Sequence, residues 1–141
     1  MEILFQATFI LIGPFWLLMI VAPHWRWTRR IMQSPLVIAP IALFYVALIL
    51  PLTGELVAAS LKPTLATIAA FLGTDHGTTA AWAHLLAFDL FVGRWAYLDS
   101  RERNLSAWVV SPILCFILMV GPLGFLLYLI MAAVNDRIIK R

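Results

Sequence analysis

Three long stretches of this chain carry no charged side chain: residues 3–23, 35–52 and 106–134. A helix of about 20 apolar residues spans the roughly 30 Å hydrocarbon layer, so runs of this kind predict membrane-crossing helices before any other feature is considered. Composition agrees, with 63% hydrophobic and 12% charged residues, against about 45–50% apolar and about 25% charged in an ordinary soluble domain. Over 141 residues and at a mean hydropathy of +0.96, there is room for a handful of crossings and no separate aqueous domain. The expectation is one all-α domain over residues 1–141, an integral, multi-pass membrane bundle of four transmembrane helices with the bilayer as its main partner.

Net charge is +3, but the basic residues gather at the ends of the apolar runs, where they orient helices and meet anionic lipid. That placement argues against nucleic acid as a partner. The first run lacks a basic leader and a small-residue cleavage site and reads as a retained span. It ends in His24-Trp25-Arg26-Trp27-Thr28-Arg29-Arg30, indoles alternating with arginines in the manner of a membrane surface. Gly13-Pro14 predicts a kink in this span and Gly121-Pro122-Leu123-Gly124 another in the last. Pro51 and Gly54 close the second run. The stretch from Glu55 to Gly73, interrupted at Lys62-Pro63, is too weakly apolar for a clear crossing and reads as an interfacial or re-entrant fifth helix. Thr78 or Thr79 would cap the next helix, and Asp99 to Asn104 reads as a charged surface turn. In a four-span arrangement the first and third connections share an end. They carry five basic residues (Arg26, Arg29, Arg30, Arg101, Arg103) against four at the other (Lys62, Arg137, Lys140, Arg141), which places both termini outside.

Residues 80–98, the expected third span, are the unusual ones, because they hold His84, Asp89 and Arg94. An ionisable side chain within a span costs about 2.5–3.5 kcal/mol on insertion scales and is a functional signal by default. Asp89 stands near mid-span, where it needs a cation or a hydrogen-bond donor, or must keep its proton; Arg94 is the nearest candidate on the same helix. At about 100° and 1.5 Å per residue, His84 and Asp89 lie roughly 140° and 7.5 Å apart, and Asp89 and Arg94 repeat that offset. With polar groups pointing three ways, the helix is expected to be central and to leave no broad face to lipid. Trp82, Asp89 and Gly93 share one face and His84, Phe88 and Trp95 another, so the aromatics either line a cavity for a long apolar molecule or form a packed seam. No His or Cys pair has metal-ligand spacing, and no phosphate-cradling glycine motif or redox cysteine pair is present. The expectation is acid–base chemistry with no metal and no cofactor. Cys115, flanked by Leu114 and Phe116, is expected to be buried packing.

The stretch Trp82-Ala-His84-Leu-Leu-Ala-Phe88-Asp89-Leu90-Phe91-Val92-Gly93-Arg94-Trp95 resembles the signature of a family of small integral membrane proteins, the neoxanthin-synthase-like or "abscisic acid deficient four"-like proteins. The resemblance extends to residues 23–30 and to Pro112, Gly121-Pro122-Leu-Gly124 and Tyr128. It implies a four-span protein of a plastid, thylakoid or bacterial inner membrane, with a carotenoid or other hydrophobic isoprenoid as ligand. It also implies a redox-neutral isomerisation of the kind that turns the epoxide violaxanthin into the allenic neoxanthin. On that reading Asp89 is the base, His84 or Arg94 the acid or oxygen stabiliser, and Trp82, Phe88, Gly93 and Trp95 bind the substrate. Members often carry a Pro-His pair at the start of the last span, where Ser106-Ala107 stand here. The competing expectation is a non-catalytic carotenoid- or quinone-binding subunit or assembly factor of a photosynthetic or respiratory membrane-protein complex.

Overall fold

The computed structural model describes residues 1–139, with the side chain of Ile139 excepted; Lys140 and Arg141, counted above among the basic residues, lie outside the described residues. Among the described residues the chain is all-α. The helices are α1 (Glu2–Val21), α2 (Arg26–Gln33), α3 (Ala39–Ile49), α4 (Thr53–Leu61), α5 (Leu65–Leu72), α6 (Asp75–Glu102) and α7 (Ala107–Ile139), with 3₁₀ turns at Pro35–Ile38 and Leu50–Leu52. Three segments are long and apolar enough to cross a membrane: Glu2–Val21, Pro35–Leu61 and Ala107–Ile138. At 28 residues α6 is long enough, but its charged side chains keep it from joining them.

Helix α1 runs unbroken through Pro14, so the expected kink does not form there. Its buried residues, Thr8, Ile12, Trp16 and Met19, recur every three or four positions and make one stripe, while Ile3, Ile10, Leu17 and Val21 stand exposed. Large aliphatic side chains turned outward over several helices cost free energy in water and none in hydrocarbon. The second apolar run also departs from expectation. Pro51 and Gly54 do not close it: Pro51 sits in the first turn of a 3₁₀ segment, where no N–H is needed, and helix resumes to Leu61. The break comes at Lys62-Pro63. Thr64 then caps α5 in a reciprocal box with Thr67, each accepting the other's backbone N–H. The cap of α6 is Thr74, whose Oγ1 accepts the Gly77 N–H at 2.9 Å. Thr78 and Thr79 donate their hydroxyls backward, to Leu72 O and Asp75 O, so the capping expectation was one turn late.

The chain divides into two compact units, one of Met1–Ile12 with Ile38–Ala87, the other of Gly13–Val37 with the residues from Phe88 onward. In the first, α4 and α5 face each other across Ala58, Ala59, Ala70 and Phe71, and Trp82 stacks on Phe5 with centroids 5.6 Å apart. The second is held by polar ties. Tyr97 donates to Pro23 O (2.8 Å), Ser111 to Ile20 O (3.0 Å) and the buried Thr28 to Ala22 O (2.8 Å). The bond to Ile20 O occupies a carbonyl that the last turn of α1 leaves without a helical donor, and those to Ala22 O and Pro23 O tie down the connection that follows.

Helix α7 breaks where Gly121 and Pro122 predicted: Val120 leaves helical geometry at φ −142°, ψ 61°. Pro122 has no N–H, so the carbonyl of Leu118, four residues back, loses its donor and the helix bends. Cys115 is exposed and not buried, since it falls on the outer side of α7.

Candidate functional site

In the second unit the Asp89 carboxylate occupies the space that a side chain at Gly121 would fill, its Oδ1 being the atom such a Cβ would meet. The one acid in the middle of α6 therefore lies against the one break in α7. The sequence supplies each half separately. Asp89 falls on the face of α6 that carries Gly93 and the buried Leu86 and Leu90, and only glycine at 121 leaves room for a carboxylate to approach the backbone. The result is a small polar locus, an ionisable side chain beside a stretch of helix whose hydrogen bonding is interrupted. Gly93 does similar work one turn further on, admitting the indole of Trp16 against the α6 backbone.

Arg94 does not pair with Asp89. Its Nη2 donates to the backbone carbonyl of Gln33 at 2.9 Å, and its Nε is buried with no hydrogen-bond partner among the described residues. The salt bridges among the described residues belong to Arg103, with Asp99 and Asp136. The offset of about 140° between positions 89 and 94 turns the guanidinium toward the C-terminal end of α2 and away from the acid.

His84 belongs to the first unit, five positions before Asp89 on α6. Its ring lies 5.3 Å from that of Tyr45, beside a cavity of about 200 Å³ that Ile49, Leu56 and Phe71 also line. Trp82 is packed against Phe5 and Phe9. Trp95 meets the rings of Phe125 and Tyr128 edge-on, at 5.6 and 5.7 Å. Phe88 is 58% exposed. Exposure also corrects the expectation for α6 as a whole. Leu85, Phe88, Phe91 and Trp95 stand exposed along it, because small residues, Ala83, Gly93 and Ala96 among them, take the buried side.

A second polar chain was missed in the sequence. Asp99 is no part of a surface turn, since α6 continues to Glu102 and the turn itself is Arg103 to Leu105, with Asn104 at φ 54°. Asp99 accepts from Tyr128 Oη (2.5 Å) and from Arg103 Nε (2.7 Å), and Arg103 reaches on to Asp136. The two carboxylates, Asp136 foremost, push the already high pKa of Arg103 further up. The available signal was Tyr128, a lone phenol in an apolar segment that needs a partner when buried.

The fold and this locus define a class: all-helical chains with several helices apolar enough for a bilayer and a carboxylate set inside a more polar helix. The chain belongs to the ABA DEFICIENT 4-like family, whose model matches residues 3–128. It is 31% identical over 130 residues to Protein ABA DEFICIENT 4, chloroplastic, of Arabidopsis thaliana, an alignment covering 88% of this chain and 58% of that protein. The chain thus spans less than two thirds of that relative's length. No solved structure matches.

Proposed function

We propose that this chain is a multi-pass membrane protein, with α6 as a fourth, polar crossing, that opens a carotenoid epoxide to an allene by acid–base catalysis. Family membership supports a carotenoid-related role, and the observation that carries the chemistry is Asp89 set against the α7 kink. Of the two cation candidates, Arg94 is turned to Gln33 O and His84 lies against Tyr45, so the proton transfer is assigned to Asp89 itself. In this reading the ring carbon–oxygen bond breaks while Asp89 takes the proton that leaves the polyene. The alkoxide released by that cleavage then recovers the proton from Asp89. Nothing is consumed, so the step needs neither oxidant nor reductant. An epoxide carotenoid of the violaxanthin type fits this chemistry, and a plastid, thylakoid or bacterial inner membrane is where such a substrate dissolves.

A second reading is favoured by one observation: Trp82, Gly93 and Trp95 are each already engaged in packing with protein side chains. On it the chain holds a carotenoid or quinone without converting it, as a subunit of a larger membrane complex. Extraction of pigment from the detergent-purified protein, followed by incubation with violaxanthin and chromatography of the products, separates the two. An isomeric product supports the enzyme. Bound pigment that returns unchanged supports the holder.

A further inference from the structure

The connection after α1 and the connection after α6 meet around a cleft of about 430 Å³ in the second unit, lined by His24, Arg26, Arg29, Arg101 and Asn104 among others. Among the described residues no carboxylate lines it. Arg101 is fixed there by uncharged oxygen acceptors, Nη2 donating to Leu105 O (2.6 Å) and Nε to Ser100 Oγ (3.3 Å), while Nη1 lies 3.4 Å from His24 Nδ1. Its neighbour Arg103 is matched by two acids, whereas Arg26, Arg29 and Arg101 have no ion-pair partner among the described residues and share one space. Three like charges at one cleft repel, and an anion between them turns that repulsion into attraction.

Pro23 and His24 also border a second cavity, of about 640 Å³, that runs between the end of α1 and the start of α7. Ile20, Val21, Trp108, Pro112, Cys115 and Phe116 make it almost wholly apolar. The hydroxyl in it, that of Ser111, is already spent on Ile20 O. A basic cleft opening into a dry apolar groove, with the exposed indoles of Trp25 and Trp108 beside them, has the polarity profile of an amphiphile lying at a membrane surface.

We propose that cleft and groove are one binding site for an anionic phospholipid of the surrounding bilayer. The phosphate sits among Arg26, Arg29 and Arg101, and one acyl chain lies along α1 and α7. The charge of the cleft selects the headgroup, and the groove requires that a chain be attached to it.

The test uses delipidated full-length protein in detergent, exposed to an equimolar mixture of phosphatidylglycerol and phosphatidylcholine with identical acyl chains and read by native mass spectrometry. Phosphatidylglycerol is retained in preference by roughly tenfold or more, the effect expected of basic residues on an anionic headgroup. The preference falls to near parity in R26Q/R29Q, two exposed positions whose loss leaves the fold intact by circular dichroism, and stays unchanged in K62Q. Alkylation of Cys115 by N-ethylmaleimide, which reads the groove, slows when phosphatidylglycerol is bound. Equal retention of the two lipids, a preference that survives R26Q/R29Q, or a Cys115 rate indifferent to the lipid overturns the proposal. Displacement by millimolar inorganic phosphate also overturns it, because the site would then hold a free anion and the groove would play no part.

Discussion

Replacing Gly121 with alanine places a methyl group where the Asp89 carboxylate now lies. The backbone itself permits the change, since no glycine of the chain has a positive φ. Alanine is also the better helix former by about 1 kcal/mol, so any loss must come from displacing Asp89. Overpacking of this kind costs typically about 1–3 kcal/mol, leaving a net destabilisation of roughly 0–2 kcal/mol after the propensity gain. Gly13 is the control, because a Cβ there meets nothing within 4 Å; Gly13→Ala should be neutral or stabilise by up to about 1 kcal/mol. Unfolding in detergent micelles, followed by tryptophan fluorescence and circular dichroism, reads both. The decisive step is a double-mutant cycle with Asp89→Ser, which shortens the side chain facing Gly121. In that background the cost of Gly121→Ala should largely disappear. An undiminished cost would refute the packing of Asp89 on the kink.

Three further outcomes follow from named contacts. Tyr128→Phe removes a donor from Asp99 and should cost about 1.5–3 kcal/mol, the range for hydrogen bonds to charged groups, measured by the same unfolding assay. Gly93→Ala drives a methyl into the Trp16 ring; a loss of about 1–3 kcal/mol should come with a shift in tryptophan emission. Thr28→Val leaves the shape of a fully buried side chain and deletes its bond to Ala22 O, which keeps the Trp25 N–H, so the cost is that of one neutral hydrogen bond, about 0.5–1.5 kcal/mol. Chemical denaturation checks it.

What could be read in the sequence followed from patterns that local physics enforces. The charge-free runs marked α1, α3 and α7, and Pro122 between two glycines marked the break in α7, because a residue without an N–H interrupts a helix wherever it stands. Other prolines misled: Pro14 is absorbed within α1 and Pro51 sits in a first turn, and only neighbouring structure distinguishes those cases from a break. The polar residues of α6 were legible as a set but not in their partnerships. Nothing near Asp89 in sequence indicates Gly121, nothing near Arg94 indicates the carbonyl of Gln33, and Asp99 looked like part of a surface turn until Tyr128 and Arg103 were found on it. Side-chain contacts across dozens of residues depend on helix rotation, which periodicity bounds only to within a face.

The role of Asp89 at the α7 kink is read most directly by comparing the purified protein with its Asp89→Asn variant, a near-isosteric change that removes the proton-accepting group. Both are incubated with violaxanthin under identical detergent conditions, and the products are resolved by chromatography. An allenic isomer is expected from the unaltered protein, with its loss by a hundredfold or more in the variant while unfolding temperature and bound pigment stay the same. Equal conversion by the two proteins, or none by either, would contradict that role.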